Sequence, residues 1–308
     1  MKAMAPGKLV LTGAYAVLDG APATVVAVDR YAVADAWRRS RASAPEIDLA
    51  FDGAPAPETD VSAQQDASGR KLGIGSSASA LVAALAADAL ANGEDVASTA
   101  VRARIFAAAR AAHARAQNGG SGIDVAASVY GGVLRYAVVG GTPAMRSLRY
   151  PEGLTITAFA SGVASRTSDL RARVDAARAR APRELEQHFQ AMHRVAAVAA
   201  DSLEAGDAHG FIASSRAYGE LLDQLGRLAD APIVIPEVRE LAAWAAATSP
   251  AGGAAFLPSG AGGGDVAVWI GAVAPPGTFL ERARAASHTP LFLSIDGRGV
   301  RAAPLESV

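Results

Sequence analysis

Cysteine is absent from this 308-residue chain. Disulfides and thiolate metal sites are therefore excluded, which fits a reducing compartment without proving one. Lysine is nearly absent too: Lys2, Lys8 and Lys71 are the only ones, and every other basic residue is arginine. Against that background a retained lysine is a functional candidate, because a compact ammonium differs from a wide guanidinium fork. No G-x-x-x-x-G-K-[ST] phosphate loop and no G-x-S-x-G nucleophile elbow occurs. The histidines (His113, His188, His193, His209 and His288) are scattered without metal-ligand spacing, which argues against catalysis by a protein-bound zinc. Net charge is only −1, which gives no reason to expect nucleic acid or an anionic membrane as partner. The alanine-rich runs at 81–91, 106–112 and 195–200 have small side chains and charged flanks, so no membrane span is expected. Pro6, Gly7 and Lys8 interrupt the apolar N-terminus, so it does not read as a signal peptide, and a cytoplasmic protein is expected.

What the chain does have is a hydrophobic content of 51%, enough for a large core. Residues 9–18 and 23–37 read as strands, with a turn at Asp19–Gly20 and Pro22. The polar excursion 38–70 reads as loose, with one short strand at 47–51. Helices are expected over 78–91, closed by Asn92–Gly93, and over 96–117, with a short one at 123–130 and a strand after it. Residues 140–153 are turn-rich and read as a boundary. Beyond them, strands are expected at 154–162, 253–257, 265–271 and 290–296, and helices at 168–180, 183–205, 207–228 and 236–247. Strands and helices mix without regular βαβα alternation, so the class is α+β, with domains 1–150 and 151–308.

Three glycine-rich stretches stand out: 5–8 (APGK), 73–79 (GIGSSAS) and 259–265 (SGAGGGD). A lone glycine cluster is more often a turn than a ligand loop. The 73–79 stretch carries more, because Ser76 and Ser77 are candidate caps for the helix that follows. A helix N-terminus is also an anion site by construction, and serine oxygens suit Mg²⁺. The 259–265 stretch imitates a dinucleotide fingerprint, but an alternating strand-like segment follows where a helix is required, so that reading is rejected. Asp124, in GSGID (120–124), stands at the start of a short helix whose positive end favours its ionised form. The basic runs at 37–43 and at Arg171, Arg173, Arg178 and Arg180 read as solvated faces, the second with a phosphate-attracting lid as its alternative.

In this order, APGKLVLTGAYAVLDGAPA, KLGIGSSASALVAALAA and LPSGAGGGDVAVWI resemble the three motifs of the GHMP kinase superfamily. Within it, LTGAYAVL, AQNGGSGIDVAASVYGG and SGVASRTSDL are most similar to the phosphomevalonate kinases, whereas mevalonate kinases usually carry histidine at the position of Tyr15. The resemblance implies a two-domain fold, with an N-terminal half like ribosomal protein S5 domain 2 and a ferredoxin-like C-terminal half. It implies an ATP- and Mg²⁺-dependent kinase with a phosphorylated small-molecule acceptor. Lys71, Gly73, Ile74, Gly75, Ser76, Ser77, Ala78 and Ser79 would hold ATP, with Ser77 and Ser76 on the metal. Lys8 would neutralise the transferring phosphoryl group, and Asp124 would orient Lys8 or accept a proton. Tyr15, Ser121, Gly122, Arg166, Thr167, Ser168, Gly260, Ala261, Gly262, Gly263 and Asp265 would hold the acceptor. Ala14 stands where the family carries glutamate, the 38–70 excursion is short, and Arg166 replaces a small polar residue. Mevalonate, or another small hydroxyl compound, is the alternative acceptor. A GHMP-fold ligand-binding module without catalysis is the alternative of a different class, and Ala14 favours it. A homodimer is compatible with the sequence but not fixed by it.

Overall fold

A computed structural model describes residues 1–42, 44–163, 167–248 and 253–304. In chain order the strands and helices are β1 (Lys2–Thr12), β2 (Ala23–Ser40), α1 (Pro45–Ala50), β3 (Ala56–Asp60), α2 (Ser76–Ala91), α3 (Thr99–Ala116), α4 (Ile123–Tyr130), β4 (Val133–Val139), β5 (Thr142–Leu148), β6 (Thr155–Ala160), α5 (Thr167–Arg180), α6 (Pro182–Ala205), α7 (Ala208–Leu228), α8 (Pro236–Thr248), β7 (Ala254–Pro258), β8 (Val266–Gly271), α9 (Gly277–Ala285), β9 (Thr289–Leu291) and β10 (Arg301–Ala302). Among the described residues one sheet has the order β10-β1-β2-β4-β5, with β3 on β2, and a second has the order β7-β8-β6-β9. No described helix is long and apolar enough to cross a membrane.

The chain clusters into two compact units, each discontinuous in sequence. One comprises Met1–Leu9, Val25–Leu134 and Ser294–Val308, and the other Val10–Thr24 and Arg135–Leu293. This partition by proximity differs from a division of the chain at residue 150.

In the first unit α2 is alanine-rich and buried on most sides: Leu81, Val82, Ala83, Ala84, Ala86 and Ala87 are all fully buried. A helix with that pattern belongs inside a core, and its small side chains let neighbours approach closely. Asn92 caps it and Gly93 follows with φ 76°, as the Asn-Gly pair predicts. Ser98 caps α3 by accepting the amide of Val101. The C-terminal segment returns to this unit. Ala3 pairs with Ala302 and Met4 with Arg301, and the Asp29 amide donates to the Ser294 carbonyl. Asp296 locks that return. Its carboxylate accepts from the Tyr31 hydroxyl (2.8 Å) and from the amides of Arg298 (2.9 Å) and Gly299 (2.7 Å). It also pairs with Arg301 at 2.9 Å, while Arg301 lies over the Tyr31 ring.

In the second unit, β6-α5 through β7-β8-α9-β9 form a βαββαβ arrangement, with α6, α7 and α8 inserted between α5 and β7. All three strand pairs of its sheet are antiparallel. This is ferredoxin-like topology, as the resemblance implied. The scarce aromatics are concentrated here: Phe279 meets Trp269 at 4.6 Å, Phe256 at 5.3 Å and Phe159 at 5.6 Å, mostly edge to face.

Several expectations are corrected. Residues 47–51 lie mostly in α1, not a strand: Pro45 opens the helix and Glu46 and Asp48 sit in its first turn. The strand expected over 9–18 starts at Lys2 and stops at Thr12, and Ala16–Asp19 is a 3-10 turn. The turn-rich boundary contains β5, which follows β4 across Gly140–Gly141. The last strand is short, Thr289–Leu291, and α9 and β10 went unread. On α5 the expected solvated face is present, with Arg173 and Arg180 exposed and Arg171 and Arg178 half-buried, and it is also tied down: Arg173 donates to the Asp230 carbonyl, and Arg178 pairs with Asp19 at 2.7 Å and covers Phe189.

Burial pushes the Asp296 carboxyl up, but its hydrogen bonds from Tyr31, Gly299 and Arg298 and the charge of Arg301 together hold it below the ordinary value. A depressed folded-state pKa adds stability that is present above the unfolded value near ~4 and is lost as pH falls through the folded value. Asp296→Ala should therefore destabilise the protein by about 3 kcal/mol at neutral pH. Urea unfolding of wild type and variant should converge as pH falls below the ordinary carboxylate range.

Candidate active site

Strand β1 delivers Lys8 to the 73–79 loop. The Lys8 amide donates to the Ile74 carbonyl at 2.8 Å, and its side chain is 8% exposed. Its stem crosses Gly75, where an added Cβ would lie 2.9 Å from both Cγ and Cε of Lys8. Gly75 also has φ 85°, so a side chain is opposed by both backbone conformation and space. The ammonium reaches Asp124 Oδ2 at 3.8 Å, a charge pairing too long to saturate three N–H donors. Asp124 lies in the first turn of α4, and Gly122 is the left-handed residue before that helix. The Ser121 hydroxyl accepts the Ile123 amide at 3.3 Å.

Gly75, not a serine, is the N-cap of α2, and it has no side-chain cap bond. Ser76 and Ser77 occupy the first two helical positions, which corrects the expectation that they cap. The first intrahelical bond runs from the Ser79 amide to the Gly75 carbonyl (3.1 Å), so the amides of Ser76, Ser77 and Ala78 precede the ladder. They form the positive end of a 16-residue helix. The Ser79 hydroxyl turns inward and donates to Gln64 Oε1 at 2.9 Å. Ile74 is fully buried and contributes its carbonyl, whereas Lys71 is exposed. The cradle offers backbone amides, one buried ammonium and two hydroxyl oxygens. That donor set suits a phosphate anion with a hard cation such as Mg²⁺, to which Ser76 and Ser77 could offer their hydroxyl oxygens.

Two groups here escaped sequence reading. Gln64, fully buried, donates to the Arg30 carbonyl at 2.7 Å while accepting from Ser79, and so anchors the loop to β2. His113 brings Nε2 to 3.2 Å from Ser77 Oγ, and Gln117, one turn on, brings its amide nitrogen to 3.0 Å from the same Nε2. The i, i+4 spacing of His113 and Gln117 is the one signal that could have drawn attention to them. This is not a hydrolase triad, in which the imidazole is oriented through the nitrogen opposite the serine. Here Ser77 and Gln117 meet one and the same nitrogen.

The second unit holds the remaining candidates. Tyr15 has φ 65° and ψ −57°, and the Ala16 amide donates to the Ala14 carbonyl at 2.9 Å, a γ-turn of the rarer, strained hand. The Tyr15 hydroxyl donates to the Ala261 carbonyl at 2.7 Å, and burial pushes this phenol well above its ordinary pKa. The 259–265 loop joins β7 to β8, so a strand does follow the glycines. Ser259 Oγ accepts the Val10 amide at 3.0 Å, and the amides of Gly263 and Asp265 donate to the carbonyls of Ile233 and Val163. Gly260 and Gly262 have φ near 88° and 79°; a Cβ at Gly262 would collide with the Ile233 carbonyl at 2.1 Å. Thr167 and Ser168 open α5 and are exposed, with Ser168 Oγ donating to Asp169 at 3.2 Å. Arg166 lies outside the described residues. Lys8, Asp124, Ser121, Gly122 and the 73–79 loop are thus in the first unit, and Tyr15, Thr167, Ser168 and the 259–265 loop in the second.

No family model matches the chain. Phosphomevalonate kinase from Streptomyces sp. (strain CL190) is 30% identical over a 340-residue alignment that covers 86% of this chain and 88% of that protein. The Lin0012 protein from Listeria innocua superposes with a TM-score of 0.79 at 21% identity, covering 98% of this chain and 99% of that one. Streptococcus pneumoniae phosphomevalonate kinase, solved with phosphomevalonate and AMPPNP, superposes with a TM-score of 0.76 at 16% identity, covering 96% and 99%. The sequence identity to the Streptomyces enzyme holds across most of both proteins, and the α+β fold matches over nearly the whole chain. The chain belongs to the GHMP kinase superfamily.

Proposed function

We propose that this protein transfers the γ-phosphoryl group of ATP to 5-phosphomevalonate, giving 5-diphosphomevalonate and ADP. The observation that carries the reading is the buried Lys8 ammonium, laid across Gly75 at the positive end of α2 and paired with Asp124 at 3.8 Å. The choice of acceptor rests on the Streptomyces relative and on the motifs shared with phosphomevalonate kinases. In the transfer the bond between the β,γ-bridging oxygen and Pγ breaks as a phosphate oxygen of the acceptor bonds to the same phosphorus. Such a step needs positioning and charge neutralisation more than covalent chemistry. The amides of Ser76, Ser77 and Ala78 bind phosphate oxygens, and Lys8 stabilises charge as it builds on the moving group. Bound Mg²⁺ would add charge neutralisation, with Ser77 and Ser76 as its protein ligands. Tyr15, Ser121, Thr167, Ser168 and the 259–265 loop serve the acceptor, Tyr15 by fixing the Ala261 carbonyl. On this reading residues 1–150 are the N-terminal, ATP-binding domain and 151–308 the C-terminal GHMP kinase domain.

Asp124 discriminates between acceptor types. A hydroxyl must lose a proton, and a general base then contributes ~10²–10⁴-fold. A phosphate monoester has its second pKa near ~6 and is already mostly ionised at neutral pH. Asp124 is therefore a positioning group for Lys8 here.

Coupled ADP-release assays over phosphomevalonate, mevalonate, homoserine and sugars should give turnover with phosphomevalonate well above the rest. Preference for mevalonate would replace the acceptor, and nucleotide binding without turnover on any of them would favour the ligand-binding module. Lys8→Ala should lower kcat by about 10²–10³-fold. Asp124→Asn should cost less than ~10²-fold, below the range expected of a general base; complete loss of activity would contradict the positioning role. Gly75→Ala should raise the KM for ATP and lower kcat together, because its Cβ displaces the Lys8 stem.

A further inference from the structure

His113 has no part in the phosphate cradle as described, yet it is 7% exposed and touches the cradle's serine. The contact belongs to a chain of polar groups. On α1, Glu46 is 9% exposed, and its Oε1 lies 3.4 Å from Gln117 Nε2. Gln117 Nε2 is also 3.0 Å from His113 Nε2 and 3.4 Å from Ser77 Oγ. A carboxylate only accepts, so Glu46 fixes the Gln117 amide with its NH₂ group toward the cluster. That NH₂ group meets His113 Nε2 as a donor, which makes Nε2 an acceptor and leaves the ring proton on Nδ1. The Ser77 hydroxyl, 3.2 Å from the same nitrogen, then points its proton at that one lone pair too, sharing it with the Gln117 N–H in a three-centre bond.

This matters for a hydroxyl that is to ligate a cation. The oxygen must present a lone pair, so its proton has to be taken up on another side. A serine in the first turn of a helix otherwise turns its hydroxyl among several acceptors. We propose that His113 is a positioning residue: it takes the Ser77 hydroxyl proton and leaves an Oγ lone pair free for the divalent cation that accompanies the nucleotide. Gln117 and Glu46 hold the imidazole in the tautomer this requires. The proposal rests on the kinase reading above and deepens it. Groups behind a metal ligand commonly contribute 10–100-fold to metal affinity by fixing the ligand's orientation.

The test is binding of N-methylanthraniloyl-ATP by fluorescence, with excess Mg²⁺ and again with EDTA. Wild type should bind in both and more tightly with Mg²⁺. His113→Leu should lose about tenfold in the Mg²⁺ condition and stay within about twofold in EDTA. His113→Gln, whose amide oxygen can accept the same proton, should recover most of the loss. In a Ser77→Ala background His113→Leu should cause no further loss. Should His113→Leu fail to give a native circular dichroism spectrum, Gln117→Leu is the substitute and should show the same selective loss. Equal weakening in Mg²⁺ and EDTA would mean a packing role and would overturn the proposal. So would an unchanged Mg²⁺ enhancement in the leucine variant, a glutamine variant as impaired as the leucine one, or a wild type that Mg²⁺ does not tighten. A wild type that binds no nucleotide in either condition would overturn the kinase reading as well. Nucleotide binding that Mg²⁺ tightens equally in every variant would sink the positioning role alone.

Discussion

The candidate site depends on how Lys8 lies against Gly75. One residue is fixed twice, by its amide on the Ile74 carbonyl and by its stem across the adjacent Gly75. The ammonium is almost fully buried, and a buried cation is tolerated only with compensation. Asp124 supplies it from 3.8 Å, with a side chain that remains 31% exposed. A pairing that long leaves the charge partly uncompensated, so a further anion beside it is stabilised. The loop that shapes this place is the one that presents the helix amides. Lysine, loop and helix end therefore form a single electrostatic object, and moving any one of them disturbs the others.

That object is held from behind by polar groups as well as by packing. The Gln64 side chain satisfies the Arg30 carbonyl and the Ser79 hydroxyl at once, and the Gln64 main-chain carbonyl accepts the Leu72 amide at 3.0 Å. A fully buried amide with both ends paired is directional where apolar contact is not. It sets the height of the loop against β2. Gly7 has to be small for the same reason, since a Cβ there would meet the Ile74 carbonyl at 2.8 Å. The Ala-rich body of α2 supplies the rest, because short side chains let the helix sink into the core and leave only its first turn to do chemistry.

Much of this was legible in the sequence because it is local. Glycines before a helix, a carboxylate in the first turn of α4, and a strand after the 259–265 glycines all follow from short-range rules. What failed was either ambiguous in period or distant in sequence. Residues 47–51 alternate well enough for a strand, but Pro45 and two acidic residues at the helix start outweigh a five-residue pattern. Serines beside a helix start suggest caps, yet Gly75 in the left-handed region takes that position and no serine makes a capping bond. The contacts of Ser77 with His113, Ser79 with Gln64, and Tyr15 with Ala261 join residues 36, 15 and 246 positions apart. Nothing in the spacing of one sequence marks such pairs.

Ala14 tests how a motif should be read. The resemblance expects a glutamate there, and its loss is the feature that favours a non-catalytic module. In the structure residue 14 works through its main chain. Its carbonyl accepts the Ala16 amide, which closes the γ-turn, and also the hydroxyl of the fully buried Tyr218 at 2.7 Å. Any residue supplies that carbonyl. The strained turn it closes is what carries the Tyr15 ring to the Ala261 carbonyl, and strain of this kind persists only where surrounding contacts enforce it. Tyr218 from α7 provides that enforcement. The turn closes and the Tyr15–Ala261 contact forms without an acidic side chain at position 14.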